Sequence, residues 1–86
     1  MLNNLLKRLE YIENDLSSEE TEEEACIRFL YLVDEINNLC RENGYLLQTE
    51  KYKIITGRCS DIKNRMILNN LELKYNFNLP NIYLVL

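Results

Sequence analysis

The chain has 86 residues and a mass of 10.3 kDa, which is room for one small domain over residues 1–86. Apolar residues make up 47% and charged residues 28% of it, with only two glycines and one proline, so a disordered chain is excluded. No apolar run reaches the roughly 18 residues of a membrane span, and the N-terminal residues are amphipathic. We therefore expect a soluble, cytoplasmic protein with no membrane partner.

Most catalytic chemistry lacks its usual residues here. Histidine is absent, and with it the commonest general base and the commonest metal ligand. The three cysteines, Cys26, Cys40 and Cys59, contain no C-x-x-C pair, and no glycine-rich phosphate loop is present. We expect these cysteines to be small buried side chains in a reducing compartment. The sequence thus predicts no catalytic residue, no metal site and no cofactor, and a protein that is not an enzyme.

Two helices are predicted in the first half of the chain. In residues 2–16 the apolar side chains recur at intervals of three and four, which lays one stripe along a helix. A run of Ser, Thr and Glu supplies caps for a second helix, which extends to Arg41 or Glu42 and ends before Gly44. Roughly half of the circumference of this second helix is apolar, so it should contact two neighbours.

The residues after the second helix have two interpretations. The β-branched residues and the nearby glycine fit additional strands in residues 45–56, which would give an α+β fold. We favour the other interpretation, a long third helix capped by Thr49, because the apolar residues recur with helical spacing. The residues with this spacing are Tyr52, Ile55, Cys59, Ile62 and Met66.

Flanking charges favour an antiparallel hairpin of the second and third helices. With opposite chain directions, Glu42 faces Lys51, and Glu35 faces Arg58. The predicted fold is therefore mainly α. It has a three-helix core in residues 1–70, in which the first helix covers the open flank of the second.

The period of the pattern changes at residue 71. Apolar and polar residues alternate strictly from Leu71 to Leu79, and a turn at Pro80 precedes a second apolar run, so residues 71–86 are predicted to form a C-terminal β segment. A lone hairpin is marginal in water, and its edge should pair with a second copy to give a homo-oligomer. The residues predicted for this self-association are Leu71, Leu73, Tyr75, Phe77, Leu79, Ile82, Tyr83 and Leu84.

Charge is unevenly distributed along the chain. Residues 1–44 carry a net charge of −7 and residues 45–86 carry +3. The densest acidic run begins the second helix, where it complements the helix dipole and also offers a contact for a basic protein surface. Two apolar residues fall on the outer face of the same helix. The predicted partner-binding residues are Glu19, Glu20, Glu22, Glu23, Glu24, Ile27 and Tyr31.

These features predict a small protein-binding module or inhibitor that occupies a partner's surface. Antitoxin, immunity and viral or mobile-element counter-defence proteins do such work, and the twelve asparagines resemble the composition bias of AT-rich genomes of that kind. The alternative is a dimeric nucleic-acid-binding regulator that uses a basic face of residues 51–65, although a pI near 4.8 opposes approach to a polyanion. That face would consist of Lys51, Lys53, Arg58, Lys63 and Arg65.

Overall fold

A computed structural model describes residues 2–44 and 48–81 of the chain. It contains three long helices, α1 (Leu2–Asp15), α2 (Glu19–Glu42) and α3 (Glu50–Leu68), and the single-turn helix α4 (Leu71–Tyr75). No strand occurs within these described ranges, and none of their helices is long and apolar enough to cross a bilayer. The predicted mainly α fold with a three-helix core is confirmed.

The first two helices of the bundle are antiparallel. Arg8, in the middle of α1, pairs with Glu35 in the second half of α2. Asp15, at the end of α1, pairs with Arg28 in the first half of α2, with 3.2 Å between Oδ2 and Nη1. The antiparallel direction follows from this order, and it brings the apolar stripe of α1 onto the wide apolar face of α2.

Helix α3 runs parallel to α1, and two of its basic residues contact α1. Lys51 Nζ donates a hydrogen bond to Asn3 Oδ1 at 2.8 Å, and Arg58 forms an ion pair with Glu13. The predicted ion pairs of α2 with Lys51 and Arg58 are therefore wrong. These pairs are absent because α1 supplies the partners of both side chains, Asn3 and Glu13. Glu35 itself pairs with Arg8 of α1.

Side chains from all four helices meet in one hydrophobic core. Helix α1 packs against both α2 and α3, and the wide apolar face of α2 contributes its buried side chains to the same core. Helix α2 reaches α3 at its C-terminal end, where Cys40 contacts Tyr52. Several of the core residues have no exposed surface, namely Leu9, Ala25, Phe29, Leu32, Val33, Ile55, Cys59 and Met66.

All three thiols are buried and unpaired, as predicted. Burial raises the pKa of Cys26 to about 11 and the pKa of Cys59 to about 12, so both remain protonated near neutral pH and are weak nucleophiles. Cys40 Sγ donates a hydrogen bond to Tyr52 Oη at 2.6 Å, which joins the end of α2 to the start of α3. The three cysteines therefore serve as core side chains.

The start of α3 decides between the two interpretations of this region. Thr49 is the N-cap, and its hydroxyl accepts a hydrogen bond from the Tyr52 backbone N–H at 3.2 Å. The alternative with strands in residues 45–56 is wrong for residues 50–56, because only a helix buries side chains at intervals of three and four on one face. Residues 45–47 lie outside the described residues.

The predicted C-terminal β segment is wrong for residues 71–81. Asn70 adopts a left-handed conformation with φ of 55° after the end of α3, and Asn76 adopts another with φ of 54° after α4. Asparagine tolerates this conformation better than most side chains do. These two residues therefore turn the chain twice, where a strand would have continued straight.

The segment after α3 folds back over the bundle. Leu71 is 2% exposed and belongs to the core. Lys63 Nζ donates to the Pro80 carbonyl and Asn37 Nδ2 donates to the Asn81 carbonyl, both at 3.0 Å, so the segment lies across α2 and α3. The half-buried residues that pack against the core are Tyr75, Phe77 and Leu79. The predicted second strand, in residues 82–86, lies outside the described residues.

Candidate partner-binding surface

The outer face of α2 combines exposed apolar side chains with carboxylates. Ile27 is 48% exposed and Tyr31, one helical turn later, is 70% exposed. Glu20 and Asp34 are both exposed and lie seven residues on either side of Ile27, which places them on the same face. The predicted outward position of Ile27 and Tyr31 is confirmed, while their part in binding stays a prediction.

Tyr31 also lines a groove between α1 and α2. Tyr11 of α1, which is 64% exposed, lines the same groove, whose volume is about 400 Å³. The other lining residues are Arg8, Ile12 and Arg28. We name this feature the tyrosine groove. Tyr11 is not among the predicted partner-binding residues, because its only signal in the sequence is a position off the apolar stripe of α1.

The two arginines that line the tyrosine groove, Arg8 and Arg28, are both in ion pairs. Arg8 pairs with Glu35. Arg28 Nη1 lies 3.2 Å from Asp15 Oδ2, and Arg28 Nη2 lies 2.7 Å from Glu24 Oε1. All of these side chains are partly exposed, so each pair contributes only about 0–1 kcal/mol to stability. They join α1 to α2 and place three carboxylates beside two guanidinium groups.

One residue of the acidic run has a structural role within the chain. Glu22 Oε1 accepts hydrogen bonds from Lys74 Nζ and Tyr75 Oη, both at 2.8 Å, and its side chain is only 13% exposed. The hydrogen bonds of Lys74 and Tyr75 lower the pKa of Glu22 below its ordinary value. Glu22 therefore holds α4 against the start of α2, and its side chain has little surface left for a partner.

We expect Glu22→Gln to destabilise the protein at neutral pH and to have no further effect in acid. Because the folded-state pKa is lower than the unfolded-state value, the stabilisation is complete above about pH 4–5 and disappears as the pH falls through the lowered pKa. Urea unfolding of both proteins between about pH 7 and pH 2 measures this difference. Glu20→Gln is the matched control and should show no such loss. A difference that persisted unchanged in acid would contradict the assignment.

The remaining carboxylates of the acidic run are exposed. Glu19 Oε1 lies 3.6 Å from Lys74 Nζ, and Glu24 pairs with Arg28. Glu20 and Glu23 form no ion pair with any residue in the described part of the chain. Their charges are therefore the ones most available to a partner.

The predicted basic face of α3 is divided among several contacts. Lys51 and Arg58 contact α1, and Lys63 is held by the C-terminal segment. A continuous row of phosphate contacts would require these cations to share one open face. The partners of Lys51, Lys53, Arg58, Lys63 and Arg65 are, in that order, Asn3, Glu50, Glu13, the Pro80 carbonyl and Ser17 Oγ.

The residues predicted for self-association have different positions. Leu71 is in the core, whereas Leu73 is 83% exposed. A groove of about 420 Å³ lies beside Leu73. Tyr75, Phe77 and Leu79 pack on the core of their own chain, and Ile82, Tyr83 and Leu84 lie outside the described residues. Self-association stays a prediction, and the strand edge proposed to mediate it is absent from residues 71–81.

No group of side chains in the described part of the chain is arranged to hold a metal ion. In comparisons with known proteins, no family model, no curated protein and no solved structure matches the chain. What the protein does must therefore be inferred from its own surfaces. The tyrosine groove offers exposed aromatic rings, and the outer face of α2 offers exposed carboxylates beside it.

Proposed function

We propose that the chain is a non-enzymatic protein-binding module that occupies the surface of a basic partner protein. Its contact surface would be the outer face of α2 together with the tyrosine groove. The observation that carries this proposal is the exposure of three large side chains, Tyr11, Ile27 and Tyr31, together with exposed carboxylates on α2. Tyrosine in such a position is typical of the residues that dominate binding energy at protein interfaces.

The exposed carboxylates of the α2 face indicate that the proposed partner is basic. Glu20 and Asp34 lie at the two ends of the α2 face, and Glu23 lies between them, one turn from Ile27. Exposed carboxylates contribute little to stability, but they accelerate association with a basic surface and reject acidic ones. The binding should therefore weaken as ionic strength rises.

The small size of the chain suits a protein that acts by blocking. A folded bundle with one binding surface can cover a functional patch on a larger protein, as inhibitors, antitoxins, immunity proteins and counter-defence proteins do. The three unpaired thiols support a reducing compartment, and we propose the cytoplasm. The nucleic-acid alternative has less support, because the basic residues of α3 have contacts within the chain.

Selection from a random-sequence peptide display library on the immobilised protein tests the proposal. We expect the selected peptides to be rich in Arg and Lys. The double variant Glu20→Gln, Glu23→Gln should weaken their binding by about 3- to 10-fold at low salt. The matched control is Glu50→Gln, Asp61→Asn, which removes the same charge from exposed positions on α3.

The comparison of the two double variants decides the outcome. If only the α2 variant weakens binding, the acidic face of α2 is the contact surface. Equal weakening by both would indicate a general effect of net charge. Unchanged binding by the α2 variant, or selected peptides without basic residues, would also contradict the proposal.

A further inference from the structure

We propose that two copies of the chain exchange residues 77–81, which we name the strap, and that Asn76 is the hinge of this exchange. In the exchanged dimer, the strap of each copy lies on the bundle of the other. The inference does not rest on the proposed function, because it uses none of the residues assigned to the partner-binding surface. It assigns the predicted self-association to a segment that the structure shows bound to its own bundle.

The strap is held on the bundle in the way that a bound peptide would be. Its half-buried side chains, Phe77 and Leu79, pack against the core. Its backbone groups are bound by side chains of α2, α3 and α4, each at 3.0 Å, and these are Asn37, Lys63 and Glu72. Every one of these contacts joins the strap to the bundle, so the identical strap of a second copy can make them all.

The strap is anchored less firmly than the helix before it. No strap residue is fully buried, and none belongs to a helix or a strand. Helix α4, in contrast, is anchored by buried Leu71 and by hydrogen bonds to Glu22. A segment with few buried contacts opens at a lower free-energy cost than a core element does. The strap should therefore open while α4 stays in place, which puts the hinge at Asn76.

The backbone of the hinge favours the open form. Asn76 is the single residue between α4 and the strap, and its φ of 54° is left-handed. This conformation is less favourable than an extended one for every residue except glycine, although asparagine tolerates it better than most. An extended Asn76 would remove this cost, and short hinges under strain favour exchange between two copies.

An exposed apolar surface lies beside the hinge. Ile67 and Leu73 are exposed, and both line the groove of about 420 Å³ that Asn76 and Phe77 also line. Because the hinge is one residue long, the two bundles of an exchanged dimer must approach each other at this place. Burial of these side chains between the bundles would provide contacts that the monomer lacks.

Closure of the strap within one chain competes with exchange. A short connection gives the strap an effective concentration of about 1 mM at its own bundle. The wild-type protein should therefore be monomeric at micromolar concentration and form dimers at about 0.1–1 mM. Sedimentation velocity over this range of concentrations measures the dimerisation constant.

Three single variants of the full chain test the role of the hinge. Asn76→Ala makes the left-handed conformation less favourable and should strengthen dimerisation by about tenfold or more. Asn76→Gly makes it more favourable and should weaken dimerisation by about threefold or more. The matched control is Asn70→Ala, because Asn70 is also left-handed, with φ of 55°, and lies before α4. It should lose stability without dimerising more strongly than the wild type.

A mixed sample tests the exchange itself. Equal amounts of isotope-labelled and unlabelled Asn76→Ala protein are unfolded together, refolded and studied by isotope-filtered NMR. We expect nuclear Overhauser effects between Lys63 of one copy and Pro80 of the other. In the monomer the same two residues are in contact within one chain.

Several results would overturn the inference. Asn76→Ala protein as monomeric as the wild type would do so, as would equal dimerisation of Asn76→Ala and Asn70→Ala, or stronger dimerisation of Asn76→Gly than of the wild type. A dimer that keeps the contact of Lys63 with Pro80 within each chain would also contradict the exchange. The selection of basic peptides tests the proposed function separately, so the failure of one can be distinguished from the failure of the other.

Discussion

Leu71→Ala is expected to lower the free energy of unfolding by about 2–5 kcal/mol, because it removes a core side chain and leaves a cavity. Leu73→Ala is expected to change it by less than about 0.5 kcal/mol. Leu71 is 2% exposed and Leu73 is 83% exposed, although only one residue separates them. Urea unfolding followed by circular dichroism measures both effects.

The same pair of variants distinguishes a helix from a strand. In a β-strand, residues two positions apart lie on one face, so both leucines would be buried together or exposed together. In α4 they are separated by roughly 200° around the helix axis, and only Leu71 points into the core. Equal losses of stability from Leu71→Ala and Leu73→Ala would contradict this account of the C-terminal segment.

Two substitutions in α2 should separate folding from binding. Phe29 has no exposed surface, and Phe29→Ala is expected to lower the free energy of unfolding by about 3–5 kcal/mol. This is a large part of the roughly 5–15 kcal/mol that is typical of a native protein. Tyr31 is 70% exposed, and Tyr31→Ala should leave the free energy of unfolding within about 0.5 kcal/mol of the wild-type value. Unfolding curves in urea test this contrast directly.

Binding should show the opposite sensitivity at Tyr31. Tyr31→Ala is expected to weaken the complex with a selected peptide by about tenfold or more, because it removes a central aromatic contact. Leu68→Ala, at an equally exposed apolar residue of α3, is the control and should leave the affinity unchanged. If Tyr31→Ala bound like the wild type, or if Leu68→Ala bound as weakly, the proposed contact surface would be wrong.

The helices of the core could be predicted because their signals are local. The buried residues of α2 recur at intervals of three and four, and the Thr49 cap of α3 is formed within four residues of chain. The outward positions of Ile27 and Tyr31 followed from the same periodicity. Such features depend on helix geometry alone and not on how the helices pack.

The C-terminal segment could not be predicted in this way. Its strict alternation of apolar and polar residues also fits one helical turn, in which Leu71 and Tyr75 lie on the same side. Long-range contacts decide between the two structures, above all the hydrogen bonds of Lys74 and Tyr75 to Glu22, about fifty residues earlier. The periodicity of the sequence does not predict these contacts.

The tyrosine groove was missed for a related reason. Tyr11 and Tyr31 line one groove because of how α1 packs on α2, through contacts between residues distant in the sequence. The wrong partners predicted for Lys51 and Arg58 have the same origin, since the pattern of charges along α2 and α3 carries no information on the position of α1. Helix periodicity predicts which side chains point outward, and packing determines which of them meet.

The most direct test of the central claim is an NMR or hydrogen-exchange map of the protein bound to its tightest selected ligand. The proposal predicts that the changes are concentrated in α1 from Arg8 to Asp15 and in α2 from Glu20 to Glu35, including Tyr11 and Tyr31. Changes concentrated instead on residues 51–65 of α3, or around Leu68 and Leu73, would contradict it. The first of these results would favour the nucleic-acid alternative, and the second a surface for self-association.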